Sequence, residues 1–365
     1  MGLFTNSDRA TEAAILDALK TVEDPDLKRD IVSLGFIKEL KIDGKKVSFS
    51  LELTTPACPM KDRLKQEAEQ AVLRVPGVSA VQVTMTSRIT SSPQEKAREL
   101  IPGVRNTIAV ASGKGGVGKS TVAANLAVAL CKTGAKVGLM DADVYGPSLP
   151  IIMGSLDLPE VTNHYIVPPE VRGVKMISMG YFLPKEEAVI WRGPMLHKMV
   201  QQFLGDVHWG ELDYLVIDLP PGTGDIQLSL CQTIPLTGAV IVSTPQDLAL
   251  EVAAKAIAMF KKLNTPILGI VENMSHYVCP HCGERDDIFG HGGARAAAEK
   301  MGFPFLGEVP LSSLIRSRSD SGEPVALDDE NTPHGRAFHS LAGALSAQVS
   351  ILNARASAQT VAIES

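Results

Sequence analysis

Five continuous apolar runs constrain this chain more than any other feature: TIAVAS at 107–112, AKVGLMDAD at 135–143, YLVIDLP at 214–220, GAVIVSTP at 238–245 and PILGIVENM at 266–274. A strand with one wet face alternates apolar and polar residues, whereas these runs are apolar on both faces. Strands of that kind belong to parallel sheets covered by helices on both sides. A loop or helical segment separates each run from the next, so residues 106–350 are expected to form a doubly wound α/β domain with a mostly parallel sheet. HGRAFHSLAGALSAQVSIL, at 334–352, reads as the closing helix, and 351–365 as a frayed C-terminal tail.

The N-terminal residues follow other periods. Ile15, Leu16 and Leu19 share a helical face, and Val47, Phe49, Leu51 and Leu53 alternate as a half-buried strand does. Leu64, Ala68, Ala71 and Val72 return at helical spacing before Pro76-Gly77, after which Val81, Val83 and Met85 alternate again. This pattern is that of a separate small α+β domain at 1–90. A polar linker at 91–105, bracketed by Ser-Ser-Pro and Pro-Gly, joins it to the larger one.

With 45% hydrophobic and 21% charged residues over 365 positions, a disordered chain or a fibre is excluded. Thirty-five basic against 41 acidic residues leave a charge of −6 and no basic run, so nucleic acid is not an expected partner. No stretch nears the ~20 apolar residues of a spanning helix, and the opening MGLFTNSDRATEAA soon turns polar. Neither a membrane association nor secretion is expected. The five cysteines therefore read as ligands or core residues of a protein in a reducing cytoplasm.

Directly after TIAVAS, the residues Gly113, Lys114, Gly115, Gly116, Val117, Gly118, Lys119 and Ser120 fit G-x-x-x-x-G-K-[ST] between a strand and a helix. Glycines let successive amides turn inward as an anion nest at a helix N-terminus. Lys119 brings a point charge to the β and γ phosphates, the Ser120 hydroxyl ligates Mg²⁺, and Thr121 joins the nucleotide-binding set. Asp218 ends YLVID ahead of Leu-Pro-Pro-Gly-Thr-Gly, which suits a carboxylate that holds Mg²⁺ through water and a switch loop whose Gly222 amide meets the γ-phosphate. Asp143 ends a second strand in Asp-Ala-Asp, with Asp141 supporting it. Strand-ending aspartates also serve as helix caps, and that reading stands beside the catalytic one.

Cys279-Pro280-His281-Cys282-Gly283 offers two thiolates that can face one metal, but only half of a four-thiolate site. Two protomers on a two-fold axis would complete either a tetrahedral Zn²⁺ or a [4Fe–4S] site. Cys58 is read at the start of a helix, where the partial positive charge lowers a thiol's pKa. An accessory thiol and a core residue both fit it. Cys131 and Cys231 read as core, and His281 as an exposed loop residue.

Lys114 makes K-G-G-V-G-K-S resemble the deviant phosphate loop of dimeric ATPases related to nitrogenase iron protein, MinD and ParA. That resemblance implies a homodimer in which Lys114 reaches the partner's ATP and Asp143 orients the attacking water. It also implies that Asn273 hydrogen-bonds adenine, with Val309-Pro310 near the base. Together with D-A-D-V-Y-G-P-S, W-R-G-P-M at 191–195, D-L-P-P-G-T-G-D, C-P-x-C-G and I-F-G-x-G-G, the chain resembles the Mrp/ApbC iron–sulfur carrier ATPases over about residues 100–330. Asp24-Pro25-Asp26 and Thr54-Thr55-Pro56-Ala57-Cys58-Pro59 resemble the small iron–sulfur assembly domain that many bacterial members carry. The resemblance implies a [4Fe–4S] cluster held between protomers by Cys279 and Cys282 and delivered to apoproteins, with assembly factors as partners and slow ATP hydrolysis. Two other readings stand beside it: a ParA/MinD-type positioning ATPase, which the negative charge and weakly apolar tail disfavour, and a zinc-stabilised ATP-dependent switch. Leu311-Ser312-Ser313 departs from the Leu-Asp-Pro that members often have after Val-Pro.

Overall fold

The computed structural model describes residues 10–91, 100–144, 146–155, 157–162, 165–182, 193–279, 281–328 and 331–364. Trp191, Arg192 and most of the linker lie outside the described residues. The chain divides into two compact units, Met1–Thr90 with Ser350–Ser365, and Ser91–Val349.

In the first unit, α1 (Glu12–Leu19) and α2 (Lys61–Leu73) accompany a sheet of β1 (Ile37–Asp43), β2 (Lys46–Leu53) and β3 (Ala80–Ser87). The sheet order is β1-β2-β3, with β1 antiparallel and β3 parallel to β2. Thr11 caps α1 by accepting the Ala14 amide at 3.2 Å, a job its hydroxyl does because the first helical amides lack partners. Val47, Phe49, Leu51 and Leu53 are buried in one core with Ile15, Leu19, Leu64, Ala68 and Val72. At ~1.5–3 kcal/mol for each large apolar side chain removed from water, this alternating face holds the unit together.

The second unit contains β4 (Val104–Ala111), α3 (Lys119–Lys132), β5 (Val137–Asp141), α4 (Leu149–Met153), β6 (Val174–Ser178), α5 (Gly193–Gly205), β7 (Leu212–Asp218) and α6 (Asp225–Thr233). It continues through β8 (Gly238–Ser243), α7 (Asp247–Lys262), β9 (Ile267–Val278), α8 (Gly293–Met301), β10 (Phe305–Leu311), α9 (Ser313–Ser321) and into α10 (Pro333–Glu364). Its sheet runs β6-β5-β7-β4-β8-β9-β10 with every neighbouring pair parallel, and the short strands Glu170–Val171 and Arg285–Asp286 add antiparallel edges on β6 and β9. The five apolar runs supply β4, β5, β7, β8 and most of β9, and β5, β7 and β8 are buried almost throughout. The chain builds outward from β4 in both directions, which makes the carboxyl end of β4 the switch point where such sheets bind ligands.

Two boundaries move. β4 starts at Val104, inside the expected linker. The expected frayed tail is instead helical: α10 runs to Glu364, because ARASAQTVAIE holds neither Gly nor Pro and is rich in alanine. Asn353 on this stretch donates to the Thr90 carbonyl at 3.0 Å, and Ser350–Ser365 groups with the first unit.

Candidate functional site

β4 ends beside Asp218 of β7, and the chain then turns through 112–118 into α3. Gly116 (φ 80°) and Gly118 (φ 78°) take left-handed conformations that L side chains rarely adopt. A Cβ on Gly118 would also collide with the Asn273 side-chain amide. Helix α3 is buried from Val122 to Leu130, so its N-terminus is fixed against the sheet and its free amides point at the loop's cavity. That cavity, of about 530 Å³, is lined by Lys114, Gly115, Gly116, Gly118, Lys119, Ser120 and Thr121, with Asp143, Asn273 and Pro310 among the residues facing them. Gly113 and Val117 are not part of its lining, and Val117 is buried.

Lys119 is almost wholly buried and ion-paired, 2.5 Å from Asp218 Oδ1 and 3.6 Å from Asp143 Oδ2. Burial pushes the Asp218 carboxyl above its ordinary range, while the Lys119 ammonium and the Ser120 hydroxyl oppose that shift. Asp218 Oδ2 is buried with no hydrogen-bond partner among the described residues. A buried orphan acceptor next to a phosphate loop and Ser120 is the donor set that a hydrated Mg²⁺ requires. Asp141, two residues before Asp143, accepts from the Asp143 amide (3.1 Å), the Leu149 amide (3.2 Å) and the Ser178 hydroxyl (2.9 Å). Burial, and then the Asp218 charge, raise its pKa to about 7. It pins the segment carrying Asp143 and, like Asp218, is not among the residues lining the cavity, and its three hydrogen bonds suit a supporting role.

Three expected contacts have other partners here. The Gly222 amide does not face the cavity but donates to the Ser112 carbonyl at 2.9 Å, so reaching a γ-phosphate requires that bond to open. Asn273 lines the cavity, yet its amide nitrogen donates to the Val117 carbonyl at 2.8 Å, bracing the phosphate loop. Lys114 lines the cavity of its own chain, with its ammonium 3.5 Å from Gln246 Oε1. At the cavity edge, Ser312 caps α9 by accepting the Leu314 amide at 3.1 Å, the service an aspartate at that place would perform. Asn273→Ala is expected to weaken ATP about fivefold, the ~1 kcal/mol of one hydrogen bond. Isothermal titration should find the same loss for inorganic tripolyphosphate. A loss confined to ATP would instead mark Asn273 as a reader of the base.

Strand β9 connects this site to the cysteines. Its first half is buried in the sheet, and beyond Ser275 it becomes progressively exposed. Met274, with φ 56°, lines the cavity and sits where the ladder to β10 loses register, between Asn273 and Tyr277. Cys279 directly follows the strand. Its amide donates to the Glu284 carbonyl and its carbonyl accepts from Gly283, both at 2.9 Å, with Gly283 left-handed (φ 74°) to close the turn. Backbone amides of Cys282 and His281 lower the Cys279 thiol pKa, and the Cys282 side chain adds to this. Cys279 is partly exposed, Cys282 exposed, and both are free; His281 is exposed as expected.

The remaining thiols differ from these. Cys231 is buried and pushed up to about 12, and Cys131 is half-buried, bonding its thiol to the Gly173 carbonyl at 3.2 Å. The expectation of a lowered pKa at Cys58 is reversed. Helix α2 begins only at Lys61, and Cys58 is buried in the first unit's core, where burial and the charges of Asp24 and Asp26 raise its pKa. The sequence reading missed a polar group on β9 and its neighbours, Glu272, Ser275, His276, His291 and Glu308. These residues come from three separate segments, so no local spacing announces them.

Residues 103–346 match the family described as NUBPL iron-transfer P-loop NTPase, and residues 12–85 match the domain described as iron-sulfur cluster assembly protein. The chain belongs to the NUBPL iron-transfer P-loop NTPase family. A Deinococcus radiodurans protein named iron-sulfur cluster carrier protein is 48% identical over 93% of this chain and 95% of its own length. A Synechocystis protein of the same name is 44% identical over 93% and 98%. Among solved structures, a nucleotide-binding protein from Archaeoglobus fulgidus in complex with ADP, with Co found in it, is 44% identical. It covers 64% of this chain and 93% of its own, with a TM-score of 0.58. As expected of a P-loop NTPase, the glycine-rich loop fitting G-x-x-x-x-G-K-[ST] lies between β4 and α3. Among the described residues, no helix is long and apolar enough to cross a membrane.

Proposed function

We propose that this chain is an ATP-dependent carrier that binds a [4Fe–4S] cluster at a homodimer interface and passes it to iron–sulfur apoproteins in the cytoplasm, hydrolysing ATP slowly. The observation that carries this reading is the cysteine turn, with two free thiols on one exposed turn and amides holding Cys279 toward its thiolate. One protomer supplies two thiolates, and a cluster takes four. A two-fold axis through the turn doubles the set. The relatives' printed names favour a cluster over zinc as the cargo.

In this reading the loop amides and Lys119 hold the β and γ phosphates, and Ser120 and Asp218 hold Mg²⁺, which neutralises phosphate charge when bound. Asp143, beside Lys119, orients the attacking water, and Lys114 leaves Gln246 to reach the partner's nucleotide, acting as an arginine finger does. Opening of the Gly222–Ser112 bond brings the switch amide to the γ-phosphate. Strand β9 supplies the link to the cargo. Asn273 braces the phosphate loop, and Cys279 lies six residues further along, ~20 Å at strand rise, beyond the left-handed Met274. The test is anaerobic isolation with iron and sulfide analysis. One four-iron cluster per two chains is expected, and stoichiometric zinc without iron refutes the reading.

A further inference from the structure

Beside the cysteine turn, and using neither of its thiols, lies a second set of metal-binding side chains. His276 is on β9, His291 precedes α8 and Glu308 is on β10. One donor atom from each lies within 4.8 Å of the other two. His291 Nδ1 is 3.7 Å from Glu308 Oε2, and the two imidazole rings meet edge-on at 6.3 Å. His276 Nδ1 is buried with no hydrogen-bond partner among the described residues.

The group rests on a fixed polar base. Glu272 is wholly buried and accepts from the Gly292 amide (3.1 Å), the Ala294 amide (2.7 Å) and the Ser275 hydroxyl (2.6 Å). Those bonds hold the backbone on the C-terminal side of His291. The Ser275 hydroxyl also lies 3.2 Å from Glu308 Oε2. The donors are therefore positioned by β9, β10 and the start of α8, with His276 and Glu308 partly buried and His291 exposed.

We propose that His276, His291 and Glu308 bind one divalent first-row transition-metal ion, of the ferrous or zinc class, within a single protomer and independently of the cysteine pair. Two imidazoles with one carboxylate suit such an ion and not Mg²⁺ or Ca²⁺, which take oxygen ligands, and three protein donors leave a coordination position open. Bonds of ~2.0–2.2 Å require donors ~3–3.5 Å apart, so the side chains close by about 1 Å on binding. Arg285 opposes this in the present state, with its guanidinium 2.8 Å from His291 Nδ1 and 3.0 Å from Asp287 Oδ1. The cation displaces Arg285 from the imidazole and leaves it with Asp287. Because Arg285 lies three residues after Cys282, the ion and the cysteine turn share a movable neighbour.

The test titrates untagged, nucleotide-free full chain carrying Cys279→Ser and Cys282→Ser with Co²⁺ under anaerobic conditions. One Co²⁺ per chain is expected, with ligand-field bands, no thiolate-to-cobalt charge transfer, and displacement by Zn²⁺. His276→Ala, His291→Ala and Glu308→Gln should each weaken binding at least ~10-fold, the scale of a lost ligand or its support. Arg285→Ala should strengthen it, a direction that a purely structural histidine cluster does not produce. Circular dichroism identifies any variant that fails to fold, and the near-isosteric Glu308→Gln keeps the test open. Absence of stoichiometric Co²⁺, or an affinity unmoved by the ligand substitutions, overturns the site. With both thiols removed, neither result depends on the cluster reading.

Discussion

Replacing Cys279 with Ala is expected to abolish cluster retention while leaving ATP binding unchanged. In a two-fold site the substitution removes one thiolate from each protomer and leaves two of the four that a [4Fe–4S] cluster takes. The side chain is partly exposed, and the turn is closed by backbone bonds from Cys279, Gly283 and Glu284 that the substitution keeps. Its cost in stability should therefore stay within the ~0.5 kcal/mol typical of surface changes. Iron and sulfide analysis after anaerobic reconstitution checks this, with Cys231→Ala as the control because that thiol is buried and pushed up to about 12. Equal iron in Cys279→Ala and wild type would remove Cys279 from the ligand set.

Lys119→Ala should weaken ATP by at least ~100-fold, since two charge-assisted hydrogen bonds to phosphate amount to ~3 kcal/mol or more. The same change leaves Asp218 buried without its cation, and breaking a buried pair can cost ~3–5 kcal/mol. Here the carboxyl has an escape. Burial already pushes its pKa up, and losing the Lys119 ammonium removes the largest influence opposing that shift, so the carboxyl moves further toward its neutral form and the cost of burying it falls. Isothermal titration with ATP and a thermal melt separate the two effects, and Lys119→Gln, which retains more of the packed stem, gives the same binding loss with less melting. Binding near the wild-type level in both variants would exclude Lys119 from the phosphate site.

Much of this site was legible because its parts are contiguous. The glycine and lysine spacing of 113–120 is one local turn between a strand and a helix, and backbone stereochemistry allows few alternatives to the shape found. Asp218 was legible as a strand end, whereas the strand expected to end at Asp143 stops at Asp141, which pairs with Asp218, and Asp143 follows two residues later on the same carboxyl side of the sheet. Cys58 went the other way. Its sequence neighbourhood pointed to a lowered pKa, but burial among residues from α1, β2 and α2 reversed the sign. Gly222 lies in the expected loop after β7, whereas Asn273, expected at a strand end, sits inside β9, which runs on to Val278, and the groups they bond, Ser112 and Val117, lie more than a hundred residues away in the chain.

The sequence by itself determined the apolar runs that must form a parallel sheet, the phosphate loop, and the paired cysteines with their incomplete ligand count. Period, glycine stereochemistry and the coordination number of metals are local properties that a linear reading can use. Only the tertiary structure decided which thiols are exposed, what Asn273 and the Gly222 amide bond to in this state, and that His276, His291 and Glu308 meet beside the cysteine turn. Those outcomes depend on burial and on distances between segments remote in sequence, which the folding of the sheet sets.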